Sequence, residues 1–278
     1  MMQRRRKPGG ALPPQILLAV AVLAAPCAAR AACSRDIAVP VAPIGASVTY
    51  KDSVIGGIYP DMLEAPAARA GCKLVYTMVP RARQQSLFEM GMADMLLPAT
   101  RTPARDRQGI FVPLLGKRAT IISIASHRPG IASAQELLDR RELRVAVVRG
   151  FDYGQPYQQL IKQLARQGRL FEEVDPVAVA RLMQSGAIDV TIMGAASFAG
   201  TVERDPRLAG MMEKLRTEPI PELPWNWSGI YISRRSLKPE DQMALRELLE
   251  RVAKSSAVIA GFHRYHRADI LAGSVRPL

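Results

Sequence analysis

From Asp36 onward, short apolar runs alternate with longer amphipathic stretches, the pattern of an α/β protein in which buried strands feed helices that cover a sheet. Ile37–Val41 reads as a first strand, Tyr59–Ala70 as a helix closed by Gly71, and Leu74–Val79 as a second strand. Arg81–Met90 follows as a helix closed by Gly91, then Asp94–Leu97 as a third strand, and Thr120–Ala125 is a β-branched run suited to a buried or crossover strand. After the turn-rich His127-Arg128-Pro129-Gly130 the pattern restarts. It predicts a helix over Ser133–Leu138, a strand over Arg144–Val148, a long helix from Gly150 to Gln167 and a strand over Phe171–Val174. A helix opened by Asp175-Pro176, an N-cap with proline in the first turn, runs to Ser185, and Asp189–Met193 is a further strand.

The second block repeats the strand-helix-strand logic of the first, which predicts two Rossmann-like lobes of mostly parallel strands. The proline-rich stretch 219–224 breaks the pattern before a strand at Gly229–Ser233 and helices at Pro239–Lys254 and Ser256–Arg267. A lobe left and later re-entered has two crossovers, placed near 116–121 and 222–227. The expected division is 1–31 as a removable leader, 32–118 as the first part of lobe 1, 119–224 as lobe 2 and 225–278 as the return to lobe 1. Ligands of open α/β sheets sit beyond the carboxyl ends of the strands, so the cleft between the lobes is the expected site.

The first residues change the picture of where this chain works. Arg4, Arg5, Arg6 and Lys7 precede an apolar run from Ile16 to Ala25 that ends in small residues around Ala29-Arg30-Ala31, the order of a cleaved secretory signal peptide. The run is shorter than the roughly 20 residues a spanning helix needs. Acylation at Cys33 requires an apolar residue three positions upstream, where Arg30 stands. The formal charge is +13, but 1–31 contains five basic and no acidic residues, which leaves an excess of eight on the exported chain. That field favours anions. Its bases are scattered among acids rather than gathered with aromatics, so nucleic acid is not an expected partner. Of three cysteines, Cys27 leaves with the leader. Cys33 and Cys72 each precede a predicted strand; if those strands are parallel neighbours a disulfide is geometrically open to them, and two separate buried thiols are the alternative. No cysteine–histidine cluster has metal spacing, and His127, His263 and His266 are not grouped as ligands.

One region carries more than pattern. Gly91-Met-Ala-Asp94-Met-Leu-Leu-Pro-Ala-Thr100-Arg-Thr102-Pro-Ala-Arg105-Asp-Arg, followed by Ile110-Phe111 and Pro113, resembles the signature region of the extracellular solute-binding proteins of the polar amino acid-binding family. So does the order around it: Gly56-Gly57 and Pro60-Asp61 opening a helix, Val148-Arg149-Gly150 opening the second lobe, and Gly186-Ala-Ile-Asp189 before a strand. The resemblance implies a periplasmic binding protein of type II, with two lobes that close on a small-molecule ligand. It also implies an inner-membrane ABC permease as partner, a monomer, a periplasmic location and no cofactor.

By that resemblance Arg105 grips the ligand carboxylate with Thr100 assisting, and a guanidinium is chemically suited to do so because its planar fork pairs with both oxygens. Gly150, Phe151 and Asp152, at a strand-to-helix turn, supply contacts from the second lobe. Arg81 and Arg83 add a cationic wall, with a solvated helix face as the alternative. Amino-acid-binding members place an aspartate where this chain has Gly194, so the ammonium site is missing and an organic acid or other anion fits better, with room at Gly194 for a bulkier group. Trp225 and Trp227 flank the second crossover as hinge packing or stacking platforms. Met90, Met92, Met211 and Met212 read as gap-filling core residues. No paired carboxylates and no Ser/His/Asp set can be named, so catalysis is not expected. The alternatives are a ligand-sensing domain without a transporter, and a periplasmic lyase on the same fold.

Overall fold

A computed structural model describes residues 33–124 and 128–278; the leader with Cys27, together with Ala125 and His127, lies outside the described residues. The chain runs β1 (Ile37–Val41), β2 (Thr49–Lys51), β3 (Val54–Gly56), α1 (Ile58–Arg69), β4 (Leu74–Met78) and α2 (Arg81–Glu89). It continues through β5 (Met95–Thr100), the one-turn α3 (Pro103–Asp106), β6 (Gly109–Lys117), β7 (Thr120–Ile124), α4 (Ala134–Asp139) and β8 (Val145–Val148). Then come α5 (Gln155–Arg166), β9 (Leu170–Glu173), α6 (Pro176–Gln184), β10 (Val190–Met193), α7 (Ala195–Val202) and β11 (Leu215–Glu218). The last elements are β12 (Asn226–Ser233), α8 (Pro239–Ala253), α9 (Ala257–Tyr265), α10 (Ala268–Ala272) and β13 (Val275–Arg276).

Apart from the β2–β3 hairpin, the strands fall into two separate bodies of sheet. One body holds the parallel pair β1–β4 and the sheet β13-β6-β12-β5, while the other is the five-stranded β11-β7-β10-β8-β9. The chain passes from the first to the second between Lys117 and Thr120, and returns between Glu218 and Asn226. The strands are less parallel than their pattern predicts. β7 runs antiparallel to β10, and β12 runs antiparallel to both β5 and β6. These are the strands that follow the two crossovers, and a chain that switches bodies enters its new sheet without the helical return that makes neighbours parallel.

Local chemistry sets the helix starts. Asp175 Oδ1 accepts the Ala178 N–H at 2.8 Å ahead of Pro176, and Ser133 Oγ accepts the Glu136 N–H at 3.0 Å, each satisfying a backbone donor that the first turn leaves free. Apolar cores form on each side: Ile37, Val39, Tyr59, Leu63, Leu97 and Phe262 in one body, and Val145, Val147, Tyr157, Leu160 and Ile192 in the other. The predicted strand pairing around the cysteines is present. β1 and β4 are parallel with Ile37 opposite Leu74, and Cys33 and Cys72 just upstream form a disulfide with Cα atoms 5.0 Å apart. Met211 is buried as predicted, but Met90 and Met92 are 54% and 57% exposed, because the chain reverses at Gly91 and turns both outward.

Candidate functional site

Five strand ends converge on one cleft. β4 ends at Met78 and is followed by α2 with Arg81 at its start; β5 ends at Thr100; β6 ends at Lys117. From the other body, β8 is followed by Phe151, Asp152 and Tyr153, and β10 by Gly194. Arg81, Thr100, Lys117, Phe151, Asp152 and Gly194 all line this cleft, together with Ile44, Tyr153, Ser197 and Ser228. Its free space is about 40 Å³, a few water-sized spheres. A roomier hollow of about 700 Å³ lies among α1, α8 and α9 of a single body, away from the strand ends.

Arg81 is held stiffly. It is 5% exposed, and its Nη1 donates to Gln84 Oε1 at 2.6 Å, while Gln84 Nε2 donates to the carbonyls of Pro40 and Leu97 at 2.9 and 2.8 Å. Its Nε is buried without a partner among the described residues, and its guanidinium lies 6.0 Å from the centre of the Phe151 ring. Burial, reinforced by the charge of Arg105, pushes Arg81 down to about 9.

The structure places Arg105 behind Thr100 rather than on the cleft surface. It is 2% exposed; Nη1 donates to the Thr100 carbonyl at 3.0 Å, and Nε and Nη2 donate to Gln85 Oε1 at 3.1 and 2.9 Å. The one-turn α3 positions it, capped by Thr102 Oγ1 accepting the Arg105 N–H. These acceptors are neutral, so the charge of Arg105 is not cancelled by an ion pair among the described residues. Burial lowers its pKa, and the charge of Asp152 opposes that shift.

The second body contributes a tight turn. Gly150 has φ 84°, and a Cβ there would stand 3.0 Å from the backbone of Ala82 in α2, so this glycine allows the two bodies to meet. Asp152 Oδ1 accepts the Gly154 N–H at 2.8 Å, and the Tyr153 hydroxyl accepts the N–H of Gly194 at 3.1 Å. Burial pushes Tyr153 up to about 12, which keeps it protonated. A Cβ at Gly194 would meet only Arg118 O and Ser197 Oγ, both at 3.7 Å, so the glycine leaves ordinary space where an acidic side chain is otherwise expected.

Residue patterns did not single out Lys117. Its ammonium lies 4.7 Å from the centre of the Phe262 ring and 5.9 Å from that of Tyr59, with no carboxylate in salt-bridge range among the described residues. Burial pushes it down to about 8. Its sequence signal was its place, the first cation after a long apolar run and directly before the first crossover. Arg83 is exposed and is not among the residues that line the cleft. Trp225 lies between two guanidiniums, 4.9 Å from Arg118 and 4.7 Å from Arg276, and Trp227 is 6.0 Å from Arg276. Both tryptophans pack at the second crossover and neither lines the cleft.

Neither a protein-family model nor a curated protein matches the sequence. Solved structures do. A histidine kinase sensor domain with similarity to periplasmic binding proteins superposes with a TM-score of 0.67 at 16% identity, covering 87% of this chain and 99% of that one. An ancestral arginine-binding protein bound to arginine superposes at 0.65 and 16%, covering 82% and 96%. The chain has the two-lobed fold of periplasmic binding proteins. The arginine-, lysine-, histidine-binding protein ArtJ from Geobacillus stearothermophilus, also at 0.65 and 16%, covers 83% of this chain and 95% of its own. The matched binding-protein folds are ligand-binding and sensor chains, and no helix among the described residues here is long and apolar enough to cross a membrane.

Proposed function

We propose that this chain is a periplasmic solute-binding protein that captures a small anionic or carboxylate-bearing solute and hands it to an inner-membrane ABC permease. In this reading residues 1–31 direct export and are removed, 32–118 with 225–278 form lobe 1, and 119–224 form lobe 2. One observation carries it: Arg81 and Lys117 line an inter-lobe cleft whose lining supplies a single carboxylate, Asp152, and Arg105 lies behind Thr100. Cations buried without counter-ions are unfavourable, and an anion that enters relieves them. Arg81 and Thr100 face the solute from one lobe with Arg105 behind, and Gly150, Phe151, Asp152 and Gly194 close on it from the other. The same charge opposes a guanidinium ligand, which separates this cleft from that of the arginine-bound neighbour despite the shared fold.

A thermal-shift screen of the exported chain tests this, since a solute that binds the folded state raises the melting temperature by mass action. Organic acids are expected to raise it and arginine to leave it unchanged. In calorimetry Arg105→Ala is expected to weaken the organic acid by about 2 kcal/mol or more. Stabilisation by arginine alone would overturn the reading. The likeness to a histidine kinase sensor domain supports a second reading, in which the same cleft reports the solute rather than delivering it. Solute uptake that persists after deletion of the gene would favour that reading.

A further inference from the structure

Two cations, Arg81 and Lys117, line the cleft with one carboxylate, Asp152. The cations lie on different elements: Arg81 opens α2 and Lys117 ends β6, while Arg105 sits on α3 behind Thr100. Among the described residues none of the three is in a salt bridge. Arg81 and Arg105 interact electrostatically with each other and with Asp152, so they form one group. Lys117 stands apart from it, over the rings of Tyr59 and Phe262, and no carboxylate acts on it.

A second feature lies at the same cleft. Gly194 and Ser197 line the same cleft, and Gly194 is the N-cap of α7 with no side chain to cap it. The first turn of a helix presents backbone N–H groups that have no intrahelical acceptor. All eight residues of α7 are buried, so those donors are withheld from bulk water. The helix start and the Lys117 ammonium thus line one cleft, and the unpartnered Nε of Arg81 belongs to the other group. The cleft is also small, about 40 Å³, which limits the distance between two charges on one solute.

Building on the anion reading above, we infer that the solute is a short-chain dicarboxylate, one carboxylate held by Arg81 with Arg105 behind it, the other by Lys117 and the uncapped start of α7. Two anionic ends match two separate cationic groups, and one carboxylate leaves Lys117 unpaired. Lys117 is therefore the residue that selects a dianion over a monoanion.

The test is calorimetry on the exported chain with malonate and succinate, against propionate and butyrate of similar length, and against sulfate and phosphate. The dicarboxylates are expected to bind at least about tenfold more tightly than the monocarboxylates, one charged contact being worth that much or more. Lys117→Met is expected to abolish this preference, bringing the dicarboxylates down to the affinity of the monocarboxylates. Because the variant loses a partly buried cation with no carboxylate beside it, its melting temperature without solute is expected to stay level or rise, which confirms folding. Equal loss for both acid classes, or equal binding of both by the unaltered protein, overturns the dicarboxylate assignment while the anion reading stands. Sulfate or phosphate binding more tightly than every dicarboxylate overturns the two-ended arrangement in favour of a single compact anion. Binding of arginine with no acid bound removes both readings.

Discussion

Burying a cation is unfavourable, and at the cleft burial pushes Arg81 down to about 9 and Lys117 down to about 8. In the unfolded chain both regain their ordinary values, so above about pH 8 the unfolded state binds more protons than the folded one. The stability of the solute-free protein then rises with pH in that range. An anion favours the charged forms, so binding takes up protons above about pH 8. Affinity is expected to be level below that, to fall by up to about tenfold per pH unit above it, and to fall more steeply above about pH 9, where Arg81 also titrates. Calorimetry from about pH 7 to about pH 10, in buffers of different ionisation enthalpy, reads both the affinity and the proton uptake. An affinity that stays level to the top of that range would show that neither cation contacts the solute. Arg81 and Asp152 were legible as site residues because a proline or a glycine turn places each just beyond a strand. Lys117 was not, because one lysine after Val112-Pro-Leu-Leu-Gly116 looks like any surface lysine until two aromatic rings from distant segments close over it.

Among the elements, those with a strong period were legible and those without were not. α5 and α6 sort apolar from polar residues cleanly, while α7 has no polar face because all eight of its residues are buried. β6 hides its nine residues behind Pro113 and Gly116, and the hairpin β2–β3 depends on Asp52 and Ser53 adopting φ of 50° and 64°, which neither residue advertises. The turn after β8 is where an element meets function. Gly150 combines a left-handed φ with the backbone of α2 at contact distance, so Gly150→Ala strains the turn and also pushes α2 away. Strain of this kind is worth about 1–3 kcal/mol, and solute affinity is expected to fall by about tenfold or more. X-ray scattering should show the variant contracting less than the unaltered protein when solute is added. Unchanged affinity with full contraction would mean that the two lobes do not close through this turn.

On the scale of the molecule, one covalent link and two chain crossings organise the rest. The Cys33–Cys72 disulfide joins the starts of β1 and β4, so it ties the first strand of the exported chain to the sheet edge beside it. A bridge of this kind stabilises by about 2–4 kcal/mol, and its reduction is expected to lower the melting temperature by about 5–10 °C in differential scanning calorimetry. An unchanged melting curve, with both thiols alkylated, would show that β1 is held by packing alone. The crossings have a different consequence. The chain's two tryptophans both lie where it returns to the first body, and Trp225 is held between the guanidiniums of Arg118 and Arg276. Arg118 belongs to the outgoing crossing and Arg276 to the last strand, so rotation of one lobe against the other changes the electric field on a single indole. Indole emission shifts with that field. The protein therefore contains its own optical gauge of lobe movement, set at the joint and not at the solute.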